Sequence, residues 1–287
     1  MKNISILPSL LALDPVLRDW LLEDIGRGDR TTQGLLLGKK SAAGEWIAKA
    51  SGIIAGLPLA ERVFHLLDEK VSFVALTSEG EFCQSGQVVA QIDGALDALL
   101  TGERVALNIV MRLSGIASLT REYAAQLAGL DARLVDTRKT TPGLRVLEKY
   151  ATQIGGAINH RMGLDDAVMI KDNHIAAAGG IGIAIAQIRN KIPYPLTIEI
   201  ETETLEQVEE ALQHRADIIM LDNMQLDMMR VAVQKIRAHN RQTKIEASGN
   251  ITLANIRAVA ETGVDYVSTS APITQAKWLD LSMKIRI

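Results

Sequence analysis

Beyond residue 130 the sequence repeats one unit, an apolar strand with a polar end followed by an amphipathic helix. Strands that alternate with helices in this way must be parallel, because a parallel pair cannot be joined by a tight hairpin. Six clear strands, with a candidate seventh at 157–159, favour a barrel or near-barrel over a sheet with one dinucleotide crevice. The strands read ARLVDT, AVMI, LTIEI, DIIML, KIEA and DYVST, and the helices include TLEQVEEALQHR, QLDMMRVAVQKIRAH and TLANIRAVAETG.

The first third of the chain has a different sequence pattern, which is typical of a small α+β domain. Residues 41–92 contain the strand-like segments GEWIAKA, VSFVALT and GQVVAQI around one amphipathic helix, PLAERVFHLLDEK. Residues 98–128 carry apolar side chains at helical spacing, although Gly102 and Gly115 predict breaks. The 287 residues, 47% of them hydrophobic, suffice for two domains. We therefore expect residues 1–105, which the tail 276–287 could join, and residues 106–275 to form one domain each.

Composition excludes several classes of function. The net charge of −3 and the aromatic content of 3% disfavour nucleic acid, which needs a basic surface and stacking side chains. Cys83 is the only cysteine, so an intrachain disulfide is impossible and a reducing, cytoplasmic compartment fits best. The N-terminus does not read as a signal peptide, and the longest apolar run, 175–186, is too short to span a membrane. No strand is followed by a dinucleotide-binding or Walker-type loop, so nicotinamide and ATP sites lack support.

Polar side chains follow the strands of the repeat. The chemistry of a parallel barrel lies at the carboxyl ends of its strands, so these side chains are the candidate site. Four cations on one rim repel one another, and their convergence is favourable chiefly when an anion is bound. The converging set is Arg138, Lys139, Arg161 and Lys171 with His160, facing Glu201 and Asp222.

The two acids extend this interpretation. Glu201 and Asp222 could hold a hard cation such as Mg²⁺, directly or through water, or hydrogen-bond the hydroxyls of a ribose. A sugar phosphate with Mg²⁺ would therefore satisfy both halves of the site.

Each of these residues also has a structural interpretation. Glu201 could begin the helix that follows it, and Asp222 could cap the next one, since acids are favoured near helix N-termini. His160 and His174 could be structural histidines, which is the better interpretation for His174. The lysines and arginines could be solvated, but their occurrence at successive strand ends favours a functional site.

The chain carries long motifs along essentially its whole length, namely EDIGRGDRTT from Glu23, ERVALN from Glu103, LSGIA from Leu113, DTRKTTPGLRVLEKYA from Asp136, NHRMGLDDAVMIKDNHI from Asn159 and MLDNM from Met220. Together these motifs resemble the quinolinate phosphoribosyltransferase family. The resemblance implies an N-terminal α/β sandwich domain and an irregular open α/β barrel, assembled as a homodimer or hexamer with a shared active site. It also implies transfer of phosphoribosyl from phosphoribosyl pyrophosphate to quinolinate, with Mg²⁺ as cofactor, giving nicotinate mononucleotide, pyrophosphate and CO2 in NAD biosynthesis.

The matching motifs imply a role for each residue. Arg138, His160 and Arg161 look like binders of the quinolinate carboxylates, joined by Arg104, which in the family reaches the barrel mouth of the neighbouring subunit. Lys139 and Lys171 are similar to the family lysines near pyrophosphate and substrate, and Glu201 and Asp222 to the acids at the ribose and metal. These four are the expected catalytic residues. The remaining expected binding residues, which include the loops for the 5′-phosphate, are Thr137, Ser248, Gly249, Asn250, Thr269, Ser270 and Ala271.

Two alternatives stay open. Residues 268–275 read STSAPITQ, where the family commonly has Gly-Ala-Leu-Thr-His, so that Thr274 stands in place of a histidine. This departure leaves room for a non-catalytic or altered-specificity anion-binding paralogue. The other alternative is an aldolase-type barrel in which Lys171 forms a Schiff base with a carbonyl substrate.

Overall fold

The computed structural model describes residues 7–35 and 40–286, so the expectation about a signal peptide falls partly outside the described residues. The strands are β1 (Ser41–Ala48), β2 (Gly52–Ile53), β3 (Ser72–Ala75), β4 (Phe82–Cys83), β5 (Val88–Ala95), β6 (Arg133–Val135), β7 (Val168–Ile170), β8 (Ile198–Thr202), β9 (Ile218–Asp222), β10 (Lys244–Ser248), β11 (Tyr266–Ser268) and β12 (Leu281–Arg286). The helices are α1 (Leu10–Ile25), α2 (Arg30–Gly34), α3 (Leu57–Leu67), α4 (Leu96–Gln126), α5 (Arg145–Gly155), α6 (Asp172–Ala178), α7 (Ile181–Arg189), α8 (Leu205–Gln213), α9 (Leu226–His239), α10 (Ile256–Ala260) and α11 (Ala271–Thr274). Over these described ranges, none of the helices has the length and apolar character needed to cross a bilayer.

The chain divides into two compact units. Unit 1 comprises residues 1–121, 146–156 and 275–287, and unit 2 comprises residues 122–145 and 157–274. The expected boundary between residues 105 and 106 falls inside α4, which is continuous from Leu96 to Gln126. Unit 1 therefore reaches further along the chain than the sequence pattern indicates, and it also contains most of α5.

Unit 1 is built on an antiparallel sheet of strand order β12-β1-β5-β3. Exposed and buried residues alternate along β1, as expected for a sheet with one solvated face. The ring of Trp46 meets Phe64 of α3 and Phe73 of β3 edge-on, with centroids 6.2 and 5.5 Å away. β12 pairs along the outer edge of β1, from Ala43 opposite Arg286 to Ala48 opposite Leu281, and so ties the C-terminal tail to this sheet.

Gly102 and Gly115 do not break α4, so that expectation is wrong. A Cβ atom at Gly102 would lie 2.9 Å from the Phe64 ring, and one at Gly115 would lie 1.9 Å from the carbonyl oxygen of Lys277. Glycine costs only about 1 kcal/mol within a helix, and apolar packing along α4 outweighs it. These glycines allow close approach of neighbouring chain segments.

Unit 2 contains all six strands that the sequence pattern predicts, as β6 to β11 in one parallel sheet. The order β6-β11-β10-β9-β8-β7 pairs the first strand with the last, as in a barrel. The candidate seventh strand at 157–159 makes only a single bridge, from Ile158 to Val135. Within residues 7–35 and 40–286 no pairing joins Ile158 to β7, so the barrel is open there.

The last predicted helix is shorter than its pattern. α10 covers five residues of the predicted segment 252–263. The side chain of Asn255 explains the late start, because it accepts from the N–H of Thr252 at 2.8 Å and donates to the carbonyl oxygen of Asn250 at 3.0 Å. These bonds hold the preceding residues in a turn.

Candidate active site

Lys171 and Glu201 form an ion pair at the carboxyl ends of β7 and β8. These strands are neighbours, with Ile170 opposite Ile200. The next residues, Lys171 and Glu201, therefore lie side by side. The ammonium group of Lys171 donates to Oε2 of Glu201. Glu201 does not begin α8, whose N-cap is Thr204, and its carboxylate pairs with Lys171 instead.

Arg138 and Arg161 lie close enough for their like charges to interact. Burial, and then the charge of Arg138, lowers the pKa of the Arg161 guanidinium, while Glu199 opposes the shift. The Nε atom of Arg138 is buried and has no hydrogen-bond partner in the described chain. A buried donor without an acceptor costs about 1–3 kcal/mol. The two guanidinium groups therefore favour an anionic ligand.

His160 is held by hydrogen bonds at its backbone and at both ring nitrogens. Its N–H donates to Oδ1 of Asp136 at 2.8 Å, and its Nδ1 lies 2.7 Å from the backbone nitrogen of Arg161, whose N–H donates to it. Its Nε2 lies 3.0 Å from Oε2 of Glu199. Because Nδ1 accepts an N–H, it carries no proton, and these bonds assign the proton of a neutral ring to Nε2.

Two carboxylates that the strand-end pattern does not single out lie beside this ring. Glu199 of β8 and Glu246 of β10 are 2% and 3% exposed, and Oε2 of Glu246 lies 3.6 Å from Nε2 of His160. Burial, together with the charge of Glu199, raises the pKa of Glu246 to about 7. The sequence signal that could have identified them is an acid within an apolar strand, in LTIEI and in KIEA, because an unpaired charge is costly there.

The same three side chains also have the residue types of a metal site. In the described part of the chain, His160, Glu199 and Glu246 are the one group of acids, histidines and cysteines whose donor atoms lie within 4.8 Å of one another. A histidine that binds metal usually donates its other ring N–H to an oxygen, whereas Nδ1 of His160 faces an N–H donor. The arrangement is therefore a hydrogen-bonded cluster, and the donor set does not fit a cation.

Side-chain amides join the ends of β9 and β10. The carboxylate of Asp222 accepts from Nδ2 of Asn223 at 2.7 Å, and Oδ1 of Asn223 accepts from Nδ2 of Asn250 at 2.9 Å. The N–H of Asn223 donates to the carbonyl oxygen of Ser248 at 3.0 Å. Gly249 has a φ of +93°, and a Cβ there would lie 2.2 Å from Oδ1 of Asn223, so only glycine fits this turn.

The loop after β11 is linked to the loop after β10. Oγ1 of Thr269 donates to the carbonyl oxygen of Ile251 at 3.4 Å and accepts from the N–H of Ala271 at 3.2 Å. The atypical residue Thr274 donates its hydroxyl to the carbonyl oxygen of Ser270 at 3.1 Å. Thr274 therefore stabilises the short helix α11 to which it belongs.

The helix-cap interpretations are settled for two residues. His174 has the structural role expected of it, because its Nδ1 accepts from the N–H of Lys171 at 3.0 Å in the capping box of α6. Asp222 does not cap α9, whose N-cap is Gln225.

The remaining expected residues lie in different places. Lys139 is exposed, and its N–H donates to Oγ1 of Thr137 at 3.0 Å. Arg104 is exposed on α4 in unit 1, whereas every other expected site residue belongs to unit 2. The described contacts thus bring together Lys171 with Glu201, Arg138 with Arg161, and His160 with Arg161.

Two family models match the chain. The model of the quinolinate phosphoribosyl transferase N-terminal domain matches residues 29–114, and that of the C-terminal domain matches residues 116–284. The two matches follow one another and cover most of the sequence.

Individual proteins agree with these models. A probable nicotinate-nucleotide pyrophosphorylase (carboxylating) of Synechocystis sp. is 58% identical over 282 residues, which are 98% of this chain and 95% of that protein. Its counterpart in Bacillus subtilis is 45% identical over 277 residues, 96% of this chain and 94% of that protein. Among solved structures, NadC from Streptococcus pyogenes has a TM-score of 0.93 at 41% identity, over 98% of this chain and 99% of that one. The nicotinate-nucleotide pyrophosphorylase from Francisella tularensis has a TM-score of 0.92 at 34% identity, over 100% of both chains.

Proposed function

The chain belongs to the quinolinate phosphoribosyltransferase family, and from this we propose that it transfers phosphoribosyl from phosphoribosyl pyrophosphate to quinolinate. The pyridine nitrogen bonds to C1 of the ribose, and the bond from C1 to pyrophosphate breaks. The carboxylate next to the nitrogen then leaves as CO2, and a proton takes its place on the ring. The products are nicotinate mononucleotide, pyrophosphate and CO2, in a step of NAD biosynthesis.

The observation that carries this proposal is the pair Arg138 and Arg161. Their guanidinium groups interact repulsively, and a buried donor of Arg138 has no partner among residues 7–35 and 40–286. A pyridine with two adjacent carboxylates would offset both charges, and the planar fork of arginine suits bidentate capture of each carboxylate. Lys171, at the end of β7, supplies a further positive charge on the same sheet.

The ribosyl donor needs charges of both signs. As pyrophosphate leaves, positive charge grows on C1 and negative charge gathers on the departing group, so acids favour the sugar and cations favour the phosphates. Glu201 and Asp222, at the ends of neighbouring strands, are the acids, and Lys139 and Lys171 are the cations. Holding both substrates in position also lowers the entropy cost of the reaction.

The loops after β10 and β11 would bind the 5′-phosphate. Ser248, Gly249 and Asn250 form the turn that packs on Asn223, and Thr269, Ser270 and Ala271 begin the loop linked to it through Ile251. Backbone N–H groups in such turns are suited to phosphate oxygens, and Thr137 extends the same rim.

The acids also suit a divalent cation. Carboxylate oxygens are the ligands that Mg²⁺ prefers, and Mg²⁺ usually keeps several waters and the phosphates of a substrate. We infer that Glu201 and Asp222 hold it, directly or through water, and that the bound cation would offset charge on the pyrophosphate. Asn223 fixes the Asp222 carboxylate for this role.

The proposed assembly involves Arg104. Arg104 is an exposed cation of unit 1, and we propose that a homodimer, or a hexamer built from it, brings it to the site of the neighbouring subunit. The single cysteine, Cys83, which is buried and free, supports a reducing compartment, the cytoplasm.

The test is a stoichiometric assay of the whole chain with quinolinate, phosphoribosyl pyrophosphate and Mg²⁺. We expect pyrophosphate and CO2 in equal amounts, and both should depend on both substrates. Release of neither, with quinolinate still bound, would identify an anion-binding paralogue instead. Trapping of a Lys171 adduct by borohydride would identify a Schiff-base enzyme, which the pairing of Lys171 with Glu201 disfavours.

A further inference from the structure

We infer that Glu199 is a positioning residue for quinolinate, acting through the ring of His160 on the backbone of Arg161. This inference rests on the proposed function, and it gives a role to a buried acid that lies below the mouth of the barrel. Glu199 and Glu201 both lie on β8, and alternate residues of a strand point to the same face. Glu199 is therefore one step deeper in the barrel than the acid at the ribose.

Two contacts through the His160 ring connect Glu199 to Arg161, and a third contact holds the Arg161 side chain. Oε2 of Glu199 lies 3.0 Å from Nε2 of His160, and on the other side of the ring the N–H of Arg161 donates to Nδ1 at 2.7 Å. The guanidinium of Arg161 donates to the carbonyl oxygen of Ala167 at 2.9 Å. The direction of Arg161 thus depends on one acceptor from the histidine and one from the following loop.

The carboxylate of Glu199 selects the tautomer that makes this possible. A neutral imidazole has one donor and one acceptor nitrogen. An acceptor at Nε2 holds the proton there and leaves Nδ1 free to accept from Arg161. The opposite tautomer would place an N–H against the N–H of Arg161, and that conflict would turn the residue away from Arg138.

Asp136 anchors the backbone around His160 on its N-terminal side. Asp136 accepts from the N–H of His160 and from Nδ2 of Asn159, at 2.8 and 2.6 Å. These bonds position the backbone of His160, but they do not determine which ring nitrogen carries the proton. The tautomer is therefore the property that Glu199 controls.

Glu246 is the natural comparison within the same cluster. Its Oε2 lies 3.6 Å from Nε2 of His160, beyond the distance of a good hydrogen bond, and it has Ser268 as another partner. Replacing Glu246 by glutamine should therefore raise KM for quinolinate much less than removing the acceptor at Glu199.

The experiment measures KM for each substrate and kcat in Glu199→Met and Glu199→Gln. Methionine has a similar length and no hydrogen-bonding oxygen, whereas glutamine keeps an acceptor. We expect Glu199→Met to raise KM for quinolinate about 10-fold, as for loss of one hydrogen bond near a charge. KM for phosphoribosyl pyrophosphate should change less than about twofold, and Glu199→Gln should restore most of the loss.

A double-mutant cycle tests the route through the ring. In His160→Asn the amide oxygen of asparagine can accept from the N–H of Arg161 without help from a carboxylate. Glu199→Met should then add little to the effect of His160→Asn, because residues that act through one another are not additive. An undiminished 10-fold effect in that background, or equal rises in both KM values, would overturn the inference.

Two controls distinguish the positioning role of Glu199 from a purely structural role and from a failure of the proposed function. Asp265→Asn removes another partly buried carboxylate of unit 2, which accepts from Arg237 and from the N–H of Ile245. It should lower the thermal midpoint without changing the ratio of the two KM values. In wild-type protein labelled with ¹⁵N-histidine, NMR should show the proton of His160 on Nε2, and a proton on Nδ1 would overturn the inference even without turnover. Absence of pyrophosphate release from the wild type would overturn the proposed function alone.

Discussion

The ammonium group of Lys171 donates a hydrogen bond to the carboxylate of Glu201 across the neighbouring strands β7 and β8. In the proposed reaction, Lys171 is the cation for pyrophosphate and Glu201 the acid for the ribose, and the structure pairs the two side chains. Each partner also limits the rotamers of the other.

We predict that Arg138→Ala abolishes turnover and leaves the fold intact, and that Lys139→Ala does the same. Arg138 has a buried donor without a partner in the described chain, and Lys139 follows it in the sequence, so in the proposed site each substitution removes a charge that stabilises the transition state. Rates should fall by at least about 100-fold. The measurement is pyrophosphate release, with circular dichroism to check folding.

Arg133→Ala is the matched control for these variants, because Arg133 is exposed at the start of the same strand, β6. It should keep its activity. Near-normal turnover in Arg138→Ala or Lys139→Ala would contradict the assignment of the site.

Mixed subunits test the shared site. An Arg104→Ala protein and a Lys171→Ala protein should each be inactive, since each lacks one cation. A mixture should recover some activity, because a hybrid dimer contains one site with both residues intact. No recovery, after exchange of subunits has been demonstrated by mass spectrometry, would count against a contribution of Arg104 from the partner.

The stability of the protein should depend on pH through Glu246. Burial and the charge of Glu199 raise its pKa, while His160, Lys171 and a hydrogen bond from Ser268 oppose the shift. The folded protein then binds this proton more tightly than the unfolded chain. The stabilisation that this proton gives the folded protein is present below about pH 4.5 and is lost as the pH rises through about 7.

Glu246→Gln removes that titration, because glutamine stays neutral. The free energy of unfolding of the wild type, minus that of the variant, should fall by about 1 kcal/mol or more between pH 4.5 and 7. Urea unfolding at several pH values, at one protein concentration, measures this difference. A difference that is constant with pH would show that Glu246 does not titrate in this range.

Gly115→Ala should destabilise unit 1 even though alanine is the better helix former. The new Cβ would lie 1.9 Å from the carbonyl oxygen of Lys277, a backbone atom that cannot rotate away, and overpacking of this kind costs about 1–3 kcal/mol. Gly34→Ala is the control, because no atom of the described residues, chain neighbours and the backbone of its own helix aside, lies within 4 Å of its added Cβ. A thermal midpoint of Gly115→Ala equal to or higher than that of the wild type would contradict the close packing of α4.

Much of unit 2 follows from sequence periodicity. Six apolar segments alternate with amphipathic helices, and the resulting strands are parallel in the structure, because that alternation allows little else. Polar residues at the strand ends meet at one edge for the same reason, which is why Lys171 lies beside Glu201. Local patterns are sufficient for these features.

The parts that sequence patterns miss depend on contacts distant along the chain. Gly115 reads as a helix breaker, and only the approach of Lys277 shows why glycine is needed within an unbroken helix. Glu199 and Glu246 read as strand residues, and their meeting at His160 depends on three separate strands and loops. The boundary expected near residue 105 lies within α4, which is one continuous helix from Leu96 to Gln126.

The most direct test of the central claim compares the binding of quinolinate and nicotinate by calorimetry. Nicotinate lacks one of the two carboxylates that Arg138 and Arg161 are proposed to neutralise. The wild type should bind quinolinate at least about 10-fold more tightly, as for loss of a hydrogen-bonded charge pair, and Arg161→Gln should lose most of that difference. Equal affinities in the wild type, or a preference unchanged by Arg161→Gln, would contradict the proposed site.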